Sequence, residues 1–238
     1  MSDPKVMVVI PTYNERENIV DLIEEIFRLP VPRIEAVVVD DRSPDGTGEV
    51  VRGLISSHRG LFLIERDGPA GRGLAGRDGF LFALESSADF VVEMDGDFSH
   101  QPKHIPELIR AMADCDVAIG SRLVPGGSDA DRPGWRYWLT IAANFYARTL
   151  LHLPVADTNS GFRCFSHEAL RVIHPESLHS PGPSIVHETL FRAINQKLRI
   201  CEVPIQFIDR KRGTSKLNLS RLIAGFFWVL RLKFDQKN

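Results

Sequence analysis

The sequence predicts an α/β fold with a mostly parallel sheet and helices on both faces. Three observations predict it. Short β-branched runs alternate with segments of helical period. The runs are continuously apolar, as strands are when both faces are covered. Each run ends in acidic or turn-forming residues, which in such sheets gather at the carboxyl ends of the strands, where ligands bind.

The elements follow in order. Val6–Ile10 reads as a strand, and Glu15–Leu29 as a helix with apolar residues at 19, 22, 23, 26 and 27. Ala36–Val39 is a strand and Thr47–Ser57 a helix; Leu61–Ile64 is a strand and Leu74–Ser86 a helix. Phe90–Met94 (strand), His104–Ala113 (helix) and Val117–Ile119 (strand) complete the alternation. The strand ends are "PTYNE" (11–15), "DDRSPDGT" (40–47), "DGDFSH" (95–100) and "GSR" (120–122), all expected on one rim. The pattern changes after Arg122. A Gly/Pro/Asp loop leads to an aromatic-rich helix over 135–153 and a turn at 157–162. A helix over 185–194, a strand over 200–208 and a terminal helix over 219–234 follow. There is no internal repeat, so one domain over 1–216 with an amphipathic helix over 217–238 is the simplest organisation.

The 43% hydrophobic content is that of a globular protein, and a net charge of −2 leaves no field to recruit nucleic acid. The charge is unevenly spread. From Arg210 onward, eight Lys or Arg face one acid, Asp235, a local +7 that suits an anionic surface. Cys115, Cys164 and Cys201 have no CxxC spacing and are expected as core residues in a reducing compartment. The N-terminus lacks a signal-peptide stretch. The longest apolar run, Leu222–Leu230, is far short of the ~20 residues of a spanning helix. Its Phe226, Phe227 and Trp228, between Arg221 and Arg231, fit a helix lying in a membrane interface better than a core helix.

Four constellations carry chemistry. "GPAGRGLAG" contains the dinucleotide-like spacing Gly71, Gly73 and Gly76, with Glu93 about 20 residues on. That fingerprint belongs in the first βα turn, so a flexible loop beside the site is expected here. Asp95-Gly96-Asp97 closes an apolar run. An EF-hand is excluded, because its sixth and twelfth positions would be His100 and Pro106. A solvated turn is one option. The other is a divalent cation on few protein ligands, completed by substrate phosphates, with Gly96 admitting a ligand to the backbone. Asp40 and Asp41 end another strand and can accept hydrogen bonds from a base or ribose, while Asp45 and Thr47 suit helix capping. Arg210, Lys211, Arg212 and Lys216 make either a solvated basic loop or a mobile phosphate clamp.

Together, "PTYNERENI", "DDRSPDGTGEV", "GRGLAGRDGFLFAL", "MDGDFSHQP", "GSRLVPGG", "DTNSGFRCF", "HETLFRA" and "VPIQFIDRKRGTSK" resemble the family 2 glycosyltransferases of GT-A fold, and among them the polyprenyl (dolichol) phosphate mannose synthases. Each motif is weak alone; their order and spacing over 11–216 are specific. The resemblance implies inverting transfer of a hexose from a nucleotide-diphosphate sugar, GDP-mannose foremost, to polyprenyl phosphate. It implies Pro11, Tyr13, Glu15, Val39 and Asp41 as nucleoside contacts, Asp95 and Asp97 as the Mg²⁺ or Mn²⁺ site, and Gly96 between them as a contact of the nucleotide sugar. Arg122, Arg210 and Lys216 become phosphate contacts, and Arg136, with Arg122, faces the acceptor phosphate. Asp95, Asp97, Arg122 and Arg210 are then the expected catalytic set. The enzyme would sit on the cytoplasmic face of a membrane, alone or with a small anchoring subunit. Three departures stand out: Gly96 where the family commonly has Ala, Arg72 inside a usual Gly-Leu-Gly, and Val186 in place of Gln two residues before Glu188. The alternatives are a UDP-sugar donor, a soluble acceptor with Glu188 as base, or a non-catalytic nucleotide- or membrane-binding module.

Overall fold

The apolar runs build a seven-stranded sheet of order β3-β2-β1-β4-β6-β5-β7. The computed structural model describes residues 3–129, 134–208 and 227–234, the side chains of 134–137 excepted. Arg210, Lys216 and the side chain of Arg136 therefore lie outside the described residues. The elements are β1 (Lys5–Thr12), α1 (Arg16–Phe27), β2 (Arg33–Asp40), α2 (Thr47–Leu54), β3 (Leu61–Glu65), α3 (Arg72–Glu85), β4 (Phe90–Glu93), α4 (Ile105–Ala111), β5 (Val117–Ser121), α5 (Gly134–Leu151), β6 (Arg163–Ser166), α6 (His167–Ile173), α7 (Ile185–Asn195) and β7 (Ile200–Pro204). A final helix, α8, spans 227–234.

Strand alternation divides the core between two faces. Met7 and Val9 of β1 join Phe80, Phe165 and Leu190 on one side, while Val6, Val8 and Ile10 join Leu22, Ile26 and Leu108 on the other. On α1, Ile19, Leu22, Ile23 and Ile26 are fully buried, each contributing about 1.5–3 kcal/mol of apolar transfer. The expected parallel sheet with two helical layers is present.

One strand departs from the parallel pattern. β6 follows the turn at 157–162 and inserts antiparallel between β4 and β5. It and α6 were not anticipated, because four residues are too short for a periodic signal. A local cue existed: Ser166 accepts from the Ala169 amide at 3.1 Å and caps α6. β7 lies parallel to β5. This adjacency corrects the reading of the cysteines. Cys115 and Cys201, 86 residues apart in sequence, form a disulfide, whereas Cys164 is free and buried.

The glycine stretch is not a flexible loop. Gly71 precedes α3, and Gly73, Gly76 and Gly79 lie within it. A Cβ at Gly79 would stand 2.3 Å from Val9 Cγ1, and one at Gly73 2.0 Å from the Ser180 carbonyl oxygen. The glycines let α3 press onto β1 and onto the 180–182 loop, which is a packing requirement rather than a dinucleotide fingerprint.

Candidate active site

The four polar strand ends do converge. β2, β1 and β4 are mutually parallel, and β4 and β5 both run antiparallel to β6, so their carboxyl ends share one rim. Three rim turns each hold a non-glycine residue in the left-handed region: Asn14 (φ 56°), Arg42 (φ 48°) and Phe98 (φ 62°). Such conformations cost of order 1–3 kcal/mol and persist only where surrounding contacts over-determine them.

On the β1–β2 side, the residues expected at the nucleoside are held in different ways. Tyr13 is 38% exposed. Glu15 is nearly buried; its amide donates to Thr47 Oγ1 (3.0 Å) and its carboxylate accepts from Asn18 Nδ2 (3.0 Å). Pro11 pairs with Val39 in the sheet, and both are buried. The Val39 side chain packs beneath α3, which leaves only its backbone near the rim. Asp40 is turned inward, accepting from Thr12 Oγ1 (3.1 Å) and from the Ser43 amide (2.8 Å). Asp41 accepts from the Gly71 amide (2.7 Å) and pairs with Arg66, which also holds Asp78. Asp45 accepts from the Thr47 amide at 3.0 Å, closing the turn into α2, whose N-cap is Gly46 without a side-chain cap, so the expected capping role is not taken.

Asp95 and Asp97 stand in the middle of the rim, after β4. The Asp95 side chain is 35% exposed. Its amide donates to His100 Nδ1 at 3.0 Å, so that nitrogen is unprotonated. Burial lowers the His100 pKa despite the nearby carboxylates, which agrees with a neutral ring; the ring stacks on Phe162. Asp97 is nearly buried and accepts from the Ser99 amide at 3.0 Å. A Cβ at Gly96 would meet Thr12 Cγ2 at 3.1 Å and Glu15 Cγ at 3.5 Å. Its missing side chain therefore relieves packing against the β1 turn.

Arg122, at the end of β5, is buried and forked onto Asp157: Nε and Nη2 each donate at 2.7 Å, and Asp157 also accepts the Arg122 amide at 3.1 Å. Burial alone would raise the Asp157 carboxyl, but the hydrogen bonds and charge of Arg122 outweigh it and hold it below the usual range. The face of Arg122 covers Phe207, 5.1 Å from the ring centre. Glu188 is engaged by the surrounding structure. It is buried, accepts the amides of His179 (3.1 Å) and Ser180 (2.9 Å), and pairs with Arg192 (2.8 Å).

Sequence reasoning missed a line of buried charge beneath the rim. Arg72 bridges Asp95 and Glu93. Glu93 is wholly buried, and burial pushes its carboxyl up against the pull of Arg72 and Arg163. Arg163 is also wholly buried and donates to the carbonyls of Ser160 (2.9 Å) and Thr158 (3.0 Å). Burial brings its pKa down to about 10, so it remains cationic near neutrality. Among the described residues, no cluster of three or more His, Cys, Asp or Glu could hold a metal ion by itself.

The Glycosyl transferase family 2 model matches residues 7–173, from within β1 to the end of α6, and so takes in the three acidic strand ends and Arg122. The chain belongs to glycosyl transferase family 2. Relatives of this family span nearly the whole chain. The undecaprenyl-phosphate mannosyltransferase of Micrococcus luteus is 37% identical over 214 residues, covering 90% of this chain and 88% of that protein. The polyprenol monophosphomannose synthase of Mycolicibacterium smegmatis is 36% identical over 238 residues, covering 98% and 89%. The fold matches that of glucosyl-3-phosphoglycerate synthase from Mycobacterium tuberculosis, solved with Mn²⁺, UDP-glucose and phosphoglyceric acid. The TM-score is 0.70 at 21% identity, over 98% of this chain and 79% of that one. The family 2 fold and the polyprenyl phosphate mannose synthase resemblance are thus both upheld.

Proposed function

We propose that this family 2 enzyme transfers mannose from GDP-mannose to a polyprenyl monophosphate with inversion, releasing GDP. The observation that carries the reading is Asp95 and Asp97 standing on the rim between the nucleoside-side turns and Arg122. It occurs in a chain 36–37% identical to proteins named for polyprenyl-phosphate mannosyl transfer.

A phosphate oxygen of the acceptor forms the new bond to the sugar's anomeric carbon as the bond to the diphosphate breaks. A phosphate monoester has a second pKa of about 6, so the nucleophile is already an anion and needs no strong base. That agrees with Glu188 being engaged in holding the 179–180 backbone. Asp95 and Asp97 supply hard oxygen donors, a fit for Mg²⁺ or Mn²⁺ held by few protein ligands and completed by substrate oxygens. Such an ion, when bound, offsets the charge developing on the leaving diphosphate. Arg122, Arg210 and Lys216 are assigned to the donor phosphates, and Arg122 with Arg136 to the acceptor phosphate. Pro11, Tyr13, Glu15, the Val39 backbone and Asp41 form the nucleoside side.

The lipid chain is accommodated at exposed aromatic faces. Trp138 and Phe145 of α5 are 67% and 71% exposed, seven residues apart and so on one face. On α8, Val229 and Leu232 enter the core, whereas Phe227 and Phe234, again seven apart, are each 60% exposed. No helix among the described residues is long and apolar enough to cross a membrane. The exposed aromatic faces support a place at a membrane surface, and we propose its cytoplasmic face, with the enzyme alone or with a small anchoring subunit.

The test is transfer of radiolabelled sugar from GDP-mannose and from UDP-glucose to polyprenyl phosphate, with and without Mn²⁺. The expected result is lipid-linked product from GDP-mannose only, lost in Asp97→Ala at unchanged circular dichroism. Product from UDP-glucose alone would overturn the donor assignment. Full activity of Asp97→Ala in the presence of a chelator would overturn the metal site.

A further inference from the structure

The acidic rim already contains a cation of its own. Arg72 Nε donates to Asp95 Oδ1 at 3.0 Å, Nη2 lies 2.9 Å from the same oxygen, and Nη1 donates to Glu93 Oε1 at 3.1 Å. Its place is built from several sides. The Gly73 amide donates to the Pro181 carbonyl at 3.0 Å, fixing the start of α3, and Glu188 pins the adjoining backbone. Gly161 leaves the space the guanidinium occupies, since a Cβ there would stand 2.4 Å from Nη2. The Arg72 side chain is 20% exposed, so it is reachable from the rim. A free divalent cation approaching Asp95 meets a fixed positive charge already on that carboxylate. A nucleoside diphosphate changes the balance, because its negative charge offsets the guanidinium and offers it a second partner.

We propose that Arg72 is a positioning residue that holds Asp95 against free divalent cations, so that metal joins this rim together with the nucleoside diphosphate and not before it. The proposal rests on Asp95 and Asp97 being the metal carboxylates. Metal and nucleotide must then raise each other's affinity by the same factor. The Arg within the Gly-Arg-Gly run thereby becomes a determinant of binding order.

Mn²⁺ titration followed by electron paramagnetic resonance tests this on the full chain. The samples are wild type, Arg72→Leu and Gly161→Ala, each without nucleotide and with saturating GDP or UDP. Gly161→Ala keeps the positive charge but crowds the guanidinium away from Asp95. Without nucleotide, Arg72→Leu is expected to bind Mn²⁺ at least ten-fold more tightly than wild type, and Gly161→Ala also more tightly. Nucleotide should tighten Mn²⁺ binding at least ten-fold in wild type and far less in Arg72→Leu. If all three bind Mn²⁺ equally without nucleotide while nucleotide still tightens binding, the role of Arg72 is overturned and the metal site stands. Absence of Mn²⁺ binding in every sample would overturn both. Should Arg72→Leu fail to fold, Gly161→Ala and the nucleotide dependence of wild type decide: equal Mn²⁺ affinity with and without nucleotide in wild type refutes the proposal.

Discussion

Removal of Asp157 is the perturbation whose outcome the structure determines most fully. Its carboxylate is wholly buried, the Arg122 side chain is 6% exposed, and three hydrogen bonds of 2.7, 2.7 and 3.1 Å join them. Asp157→Ala strands a guanidinium that water reaches poorly, and breaking a buried pair from one side costs about 3–5 kcal/mol. The double variant Arg122→Met/Asp157→Leu removes both charges and should cost less than either single change. Urea unfolding near neutral pH measures each corner of the cycle. Because Asp157 is held below the usual carboxylate range, its stabilisation is full above the unfolded value of about 3.9 and is lost as pH falls through the folded value. The gap between wild type and Asp157→Ala should therefore be constant from pH 5 to 8, to within about 0.5 kcal/mol, and close only in acid. Transfer assays separate structure from chemistry. If Arg122 contacts phosphate, the double variant regains stability but stays inactive. A cost below about 1 kcal/mol for Asp157→Ala would refute the buried-pair reasoning. A double variant as active as wild type would refute the phosphate role.

Gly73→Ala places a methyl against the backbone carbonyls of Ser180 and Gly182 and should cost at least about 1–3 kcal/mol in thermal unfolding. Gly53→Ala, in open space on α2, should gain up to about 1 kcal/mol, so the two must differ in sign. His187 is pushed down to about 3, chiefly by burial and secondarily by Arg163, so the unfolded state binds the extra proton between pH 3 and 6.5. Stability should rise with pH across that window, and His187→Gln should flatten the slope by up to about 1.4 kcal/mol per pH unit in acid-unfolding series. Phe227→Ser/Phe234→Ser should weaken sedimentation with polyprenyl-phosphate liposomes several-fold without changing the melting temperature. Unchanged sedimentation would remove α8 from the lipid surface.

Local chemistry and chain order made much of this protein legible in its sequence. Apolar runs of β-branched residues marked β1 to β5, because a strand covered on both faces must be apolar throughout. Their polar ends, Asp40 and Asp41, Asp95 and Asp97, and Arg122, marked the rim, because parallel connections bring carboxyl ends to one side. Partners were another matter. That Arg72 meets Asp95, that Asp157 takes both arms of Arg122, and that Cys115 finds Cys201 depends on which strands become neighbours. The insertion of β6 between β4 and β5, the pairing of β7 with β5 and the packing of α3 on the sheet set those neighbours, and the four residues of β6 carried no period to read. Glu188, which could have been read as a base, became a backbone acceptor once the 179–180 loop folded over it. The sequence determined which charges the rim would hold. Tertiary structure decided which of them cancel, since a buried charge is tolerated only beside an opposite one and that proximity is not a property of local sequence.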